Sequence, residues 1–163
     1  MNTIKKLIFM RGLPGSGKST IARRMVKEWQ GSTAIVFSAD GFLYVNNEYV
    51  WTIERLKEAH RLCQESVWNA INDEDLCNDF DLIIVDNTNI TLKELKAYKE
   101  HIKRALELGF VVDILETDPD LEIPTSELEK RNSHSVSRET IENRARKYKK
   151  NITIEDILGI ENH

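Results

Sequence analysis

Eight residues near the start of the chain, Gly12-Leu13-Pro14-Gly15-Ser16-Gly17-Lys18-Ser19, carry the pattern G-x-x-x-x-G-K-[ST]. Glycines at this spacing let main-chain N–H groups converge on phosphate oxygens that a Cβ would obstruct. A lysine after the last glycine reaches β- and γ-phosphates, and the hydroxyl that follows holds Mg²⁺. Lys18 and Ser19 take those roles here, with Thr20 a weaker second hydroxyl. The bland alternative is a glycine-rich turn with an incidental lysine. A dinucleotide fingerprint is excluded, because Thr20 stands where its third glycine belongs.

Two carboxylates complete a phosphoryl-transfer set. Asp86 directly follows Leu82-Ile83-Ile84-Val85, which puts it at the carboxyl edge of a sheet, where ligands of open α/β folds bind. There it would hold Mg²⁺, or else cap a turn with Asn87 and Thr88. Asp40 ends a second short apolar run. In a sheet ordered 2-3-1-4 it faces the phosphate loop, able to accept the proton of an attacking hydroxyl. Its competing roles are a metal-water ligand or a turn aspartate before Gly41.

The elements that must position these residues follow from periodicity. Lys5 to Met10, Ala34 to Phe37, Leu82 to Val85 and Val111 to Leu115 read as short strands. Ile21, Ala22, Met25, Val26 and Trp29 recur at helical spacing after the glycine cluster. Thr52 caps a helix to about Ile71, with Ile53, Leu56, His60, Cys63, Val67 and Ala70 on one face. Thr91 and Glu94 have capping-box spacing for a helix through Leu92, Leu95, Lys99, Ile102 and Leu106 to Gly109. Tyr44 to Trp51 reads as a loop. Strands alternating with helices predict an α/β fold, with a parallel sheet of four or five strands and helices on both faces.

Transferred phosphoryl groups carry spread negative charge, so a cation on a small helical lid is expected. Thr125 is read as the cap of a helix through Arg131, and Ser137 as the cap of one to about Lys149, with Ile141, Ala145 and Tyr148 inward. Arg131 and Arg138 therefore flank a polar connection, Asn132 to Ser137, as candidate phosphate ligands or solvated helix charges. The lid spans about 125–140 and a basic helix about 138–149. Ile152 to Leu158 is a final short strand or helix. His60 reads as a hydrogen-bonded core histidine, with orientation of Asp40 or Asn87 as its minor alternative. Tyr44, Tyr49 and Trp51 either stack on an acceptor's base or sugar or pack over the second strand.

Length and composition set the frame. The 163 residues, 40% apolar and 31% charged, suffice for one domain and one sizeable core. The opening apolar run is too short for a signal peptide or a bilayer span, so no membrane partner is expected. Two cysteines, Cys63 and Cys77, without ligand spacing favour a reduced cytoplasmic compartment. The net charge of −4 argues against a nucleic-acid coat protein, yet Lys130 to Lys150 holds eight Lys/Arg and two Glu. That stretch suits an anionic partner or a solvated face.

The sets Arg11 to Thr20, Ser38-Ala39-Asp40, Ala59-His60, Ile84 to Asn89 and Arg131-Asn132-Ser133-His134-Ser135-Val136 occur in one order over nearly the whole chain. Together they resemble the kinase domain of polynucleotide 5′-hydroxyl kinases and the related NEDD-binding-protein-like P-loop ATPases, which share a fold class with zeta-toxin and small-metabolite kinases. The resemblance implies a single P-loop NTPase-fold domain that binds ATP and Mg²⁺ through Lys18 and Ser19; the glycine motif adds Gly12, Pro14, Gly15, Ser16, Gly17 and Thr20 as nucleotide-binding candidates, and the lid layout adds Arg138. It implies Asp40 as general base, Asp86 and Ser19 at the metal, and Arg131 as a lid arginine. Two departures concern the acceptor: Leu43 replaces an arginine that grips the acceptor's phosphate, and Ser135 replaces a further lid arginine. The expected activity is transfer of the γ-phosphate to a hydroxyl, favourably the 5′-OH of DNA or RNA. A metabolite, nucleoside or sugar kinase and a nucleotide-switched binding ATPase are the alternatives.

Overall fold

Successive side chains of a strand point to opposite faces, and in β1 (Lys6–Arg11) both faces are apolar. Leu7 and Phe9 join one core cluster, Ile8 and Met10 another. Such a strand must be covered on both sides, the condition of a parallel sheet between helical layers. The computed structural model describes residues 4–73, 80–132, 134 and 136–160 and has that arrangement. Cys77, Ser133 and Ser135 lie outside the described residues.

The chain runs β1, α1 (Lys18–Glu28), β2 (Ala34–Phe37), a 3-10 turn (Ala39–Leu43), β3 (Tyr44–Val45), β4 (Glu48–Tyr49), α2 (Ile53–Asn72), β5 (Leu82–Asp86), α3 (Leu92–Lys96), α4 (Lys99–Glu107), β6 (Val111–Glu116), α5 (Thr125–Arg131), α6 (Arg138–Lys147) and α7 (Ile154–Leu158). Four parallel strands form the order β2-β5-β1-β6. With the β3–β4 hairpin set apart, this is the expected order 2-3-1-4. Helix α1 covers the face of Ile8, Met10, Leu82 and Ile84 through Ala22. Helices α2, α4 and α7 cover the face of Leu7, Phe9, Ile83 and Val85. A third cluster, Leu13, Leu128, Ile141 and Tyr148, joins α5 and α6 to the loop after β1.

The structure corrects several local expectations. The segment from Tyr44 to Trp51 contains a hairpin, turned by Asn46 and Asn47 at φ 52° and 68°; two left-handed residues make the tight turn that matches strand twist. The helix expected from Leu92 to Gly109 is broken at Ala97-Tyr98. An unbroken helix with Lys99 on its inward face would bury an ammonium group. The break re-phases the second half so that Tyr98, Ile102 and Ala105 face the core, while Leu106 is exposed. Thr125 is the first residue of α5 rather than its cap, a position held by Pro124. Thr52 and Ser137 cap their helices as expected, each accepting a bond from a backbone N–H three residues on. Ile152 to Leu158 ends in a helix, α7, capped by a Thr153–Asp156 box.

Arg11, at the end of β1, is fully buried. Its Nε donates to the Asn89 carbonyl (2.7 Å), and Nη2 donates to the carbonyls of Ile90 (3.1 Å) and Lys149 (2.6 Å). Nη1 pairs with Glu116 Oε1 (3.0 Å), and the Tyr148 ring lies against the guanidinium while its hydroxyl donates to Glu116 Oε2. Burial, and then the hydrogen bond to Glu116, push the Tyr148 phenol well up. One cation thus ties β1 to the exit of β5, to β6 and to the chain after α6. Arg11→Leu leaves Glu116 and three carbonyls short of a partner, and we expect a loss of about 3 kcal/mol, read as a lowered urea midpoint at unchanged slope.

Candidate functional site

Helix α1 begins at Lys18 with Gly17 as its N-cap, at φ +98° and with no side-chain cap. The first-turn N–H groups of such a helix lack intrahelical partners, which makes its end a ready anion site. Gly15, at φ +83°, could not carry a Cβ without meeting the Leu128 carbonyl of α5. The loop is therefore seated beneath α5. Parallel pairing sets Met10 opposite Asp86, so the loop after β1 and the tip of β5 emerge side by side. There Ser19 Oγ donates to Asp86 Oδ2 at 2.8 Å. Lys18 folds back to donate to the Leu13 carbonyl (3.1 Å). Burial pushes its pKa down to about 8, against the opposing pull of Asp86 and Asp40.

A cavity of about 600 Å³ opens over these groups. Pro14, Gly15, Gly17, Lys18, Ser19 and Thr20 line its loop side, and Asp40, Asp86 and Arg131 line it elsewhere. A second cavity of about 410 Å³ shares Asp40, Tyr49, Thr88 and His134 with the first and extends to Trp51, His60, Glu94 and Arg144. Asp40 lies on the common wall.

Asp40 sits in the 3-10 turn after β2, whose first N–H, that of Ala39, donates to buried Asn87 Oδ1 (2.9 Å). The Asn87 amide in turn donates to Tyr98 Oη (3.5 Å) and contacts Cys63 Sγ. Asn87, read from sequence as a turn residue or a site residue, thus anchors the turn that carries Asp40. Arg144 reaches Thr88 Oγ1 (3.5 Å) and stands 4.0 Å from Glu94. Glu94 itself closes the capping box of α3 with Thr91.

Three expected ligands are not brought to either cavity. Gly12 N donates to the Thr88 carbonyl (3.1 Å), and a Cβ there would run into Thr117 and Ser16. The Ser16 hydroxyl bonds Thr117 Oγ1 (2.6 Å), so both residues hold the loop together from below. Arg138 is half-exposed and paired with Glu129, which accepts from its guanidinium and from its backbone N–H. Arg131 lines the first cavity while ion-paired with Glu127 (2.9 Å). His60 lines the second cavity instead of closing the core, and burial holds its pKa below the ordinary value. Sequence reading gave no individual role to His134 or Arg144. The signal for Arg144 was its place one residue before Ala145, beside the inward stripe of Ile141 and Tyr148.

Among the described residues no three His, Cys, Asp or Glu side chains cluster as metal ligands. One carboxylate and one hydroxyl, bonded to each other at the cavity floor, fit Mg²⁺, which takes few protein ligands and completes its shell with phosphate and water.

The AAA_33 family, described as an AAA domain, matches residues 7–152. The chain belongs to this family. NEDD4-binding protein 2 of Homo sapiens is 31% identical over 155 residues, covering 94% of this chain and 8% of that protein. Uncharacterized protein PM0531 of Pasteurella multocida (strain Pm70) is 30% identical over 121 residues, 68% of this chain and 63% of that one. A chain of the Pnkp1/Rnl/Hen1 RNA repair complex shares the fold with TM-score 0.58 at 19% identity, over 90% of this chain and 45% of that one. The AAA_33 domain described here therefore spans less than two thirds of each. No helix among its described residues is long and apolar enough to cross a membrane.

The lowered pKa of Lys18 has a measurable sign in the nucleotide-free, metal-free protein. Between about pH 8 and the ordinary lysine value of 10.5 the unfolded chain holds a proton that the folded chain has released, so stability rises with pH through that window. Relative to Lys18→Met, the wild type should gain about 2 kcal/mol between pH 7.5 and 9.5, measured by urea unfolding at each pH.

Proposed function

We propose that this domain is an ATP-dependent phosphotransferase that moves the γ-phosphoryl group to a hydroxyl, with the 5′-OH of a polynucleotide as favoured acceptor. The observation that carries the reading is Asp40 on the wall shared by two cavities, one built on the phosphate loop and the other holding Arg144. A carboxylate between donor and acceptor is where a general base for this transfer must stand.

The triphosphate occupies the first cavity, its β- and γ-phosphates against the main chain of Gly15 to Ser19 and the Lys18 ammonium, which leaves the Leu13 carbonyl for them. Ser19 and Asp86 would hold Mg²⁺, which when bound neutralises charge on the phosphate oxygens. The acceptor hydroxyl enters from the second cavity. Its proton goes to Asp40 as its oxygen bonds the γ-phosphorus, and the bond from that phosphorus to the β–γ bridging oxygen breaks to release ADP. Arg131 stabilises the charge on the moving group by exchanging Glu127 for it; the exposed i,i+4 pair costs no more than about 0.5 kcal/mol to open. Arg144, with Trp51 exposed nearby, supplies a cation and an aromatic face for a nucleotide acceptor. Membership of an RNA repair complex by a protein of the same fold supports that acceptor class. The buried, unbridged thiol of Cys63 accords with a reducing, cytoplasmic compartment.

A metabolite or nucleoside kinase is the second reading, and Leu43 favours it. That side chain is fully buried in the core, so the position at which similar kinases carry a phosphate-gripping arginine offers no charge to an acceptor.

Incubation with γ-labelled ATP and 5′-OH DNA or RNA oligonucleotides should transfer label; transfer only to small hydroxyl compounds would select the second reading, and none to either would remove both. Asp40→Asn should lower kcat by about 10²- to 10⁴-fold while ATP affinity stays within about twofold. Equal loss of both would assign Asp40 to the metal instead. Arg144→Gln should raise KM for the oligonucleotide about tenfold, the worth of one charge-assisted contact, with KM for ATP unchanged.

A further inference from the structure

Asp40 is flanked on two sides by residues outside the phosphate loop. Tyr49, on the β3–β4 hairpin, donates its hydroxyl to Oδ1 at 3.3 Å. His134, from the connection between α5 and α6, brings Nε2 to 3.6 Å from Oδ2. The two rings stack with centroids 4.8 Å apart and planes 23° apart, and Tyr44 packs edge-on against Tyr49 at 5.5 Å. Both residues line both cavities. Each oxygen of the carboxylate thus faces its own donor, and the donors are braced against each other.

The carboxylate needs such holding. Its side chain is 45% exposed, and a free aspartate in water samples several rotamers, of which only some aim an oxygen at an incoming hydroxyl. The His134 contact lies just beyond hydrogen-bond length, and shortening it by a few tenths of an ångström makes a charge-assisted bond. Catalytic hydrogen bonds commonly tighten in this way once substrate is bound. The other ring nitrogen, Nδ1, is buried with no partner among the described residues. A purely apolar ring would stack on Tyr49 without leaving that atom unpaired, so packing alone does not account for a histidine here. A carboxylate only accepts, so it is an Nε2–H that can serve the Asp40 oxygen it faces.

We propose that His134 is a positioning residue which, together with Tyr49, fixes the Asp40 carboxylate in the orientation that takes the acceptor's proton. The inference rests on the reading of Asp40 as general base and goes beyond it by assigning what aims that base.

The test measures kcat and KM for labelled transfer to a 5′-OH oligonucleotide, and the slow hydrolysis of ATP without acceptor, in which Asp40 would orient water. His134→Ala should lower kcat about tenfold to hundredfold, the scale of a misaimed catalytic group, with KM for ATP within about twofold. His134→Gln, whose amide can donate to Oδ2, should return kcat to within about fivefold of wild type, and Tyr49→Phe, which keeps the stack but not the donor, should fall between. In an Asp40→Asn background, His134→Ala should cost no more than about a further twofold, because the group it acts through is gone. An unchanged kcat in His134→Ala overturns the proposal, as does the same loss in the Asp40→Asn background or a loss of ATP affinity that Gln does not rescue. If the wild type turns over neither acceptor nor water, the reading of Asp40 fails and this inference falls with it. Should the wild type turn over and His134→Ala match it, the inference alone falls.

Discussion

Parallel pairing of β1 with β5 is the constraint on which the site depends. It sets Met10 beside Asp86, so the chain leaves one strand as the glycine-rich loop at the level where the next ends in a carboxylate. The paired strands β1 and β5 are buried on both faces almost throughout, and a slip of one residue would turn apolar side chains from one helical layer toward the other. The register that closes the two cores therefore also delivers Ser19 within hydrogen-bond reach of Asp86. Site and core are specified by the same hydrophobic pattern.

Beneath the loop lies a second level of control, made of buried polar groups. Arg11 spends all three of its nitrogens on carbonyls and Glu116, while Asn87 and Asn89 bond the 3-10 turn and the Met10 carbonyl. Each costs desolvation, and each is satisfied, which is the condition for a buried polar network to specify one arrangement. The result is that three loops, after β1, β2 and β5, are held to one another at the sheet's carboxyl edge by directional polar contacts as well as by the apolar ones of Leu13 and Ile90. That edge can then stay open as two cavities meeting at Asp40.

Much of this was legible in the residues. The strand order, the strand–loop–helix context of the glycine cluster and the placement of Asp40 and Asp86 at the sheet's carboxyl edge follow from periodicity and from the rules of parallel sheets. What misled the reading were places where long-range packing overrode a local signal. Thr91 and Gly109 bracket a good helical segment, yet Tyr98 is drawn into the core against Phe9 and Cys63 and the helix breaks. Arg138 has the sequence context of a lid cation, yet Glu129 holds it away from the cavities. Gly12 and Ser16 belong to the motif, but their role in the structure is to shape the loop through Thr88 and Thr117.

Residue type, short spacing and a period-two pattern were enough to mark a glycine loop followed by a lysine and a hydroxyl, and two carboxylates at the carboxyl edge of a sheet, a set suited to phosphate and Mg²⁺. Only the tertiary structure decided which distant side chains face them. His134 and Arg144 come from a helix connection and a basic helix, far along the chain from the glycine loop, and they join Tyr49 in lining the second cavity with Asp40 where α5 and α6 pack on the third apolar cluster. Contacts between segments so far apart are set by which apolar faces pack together, and no local spacing encodes them.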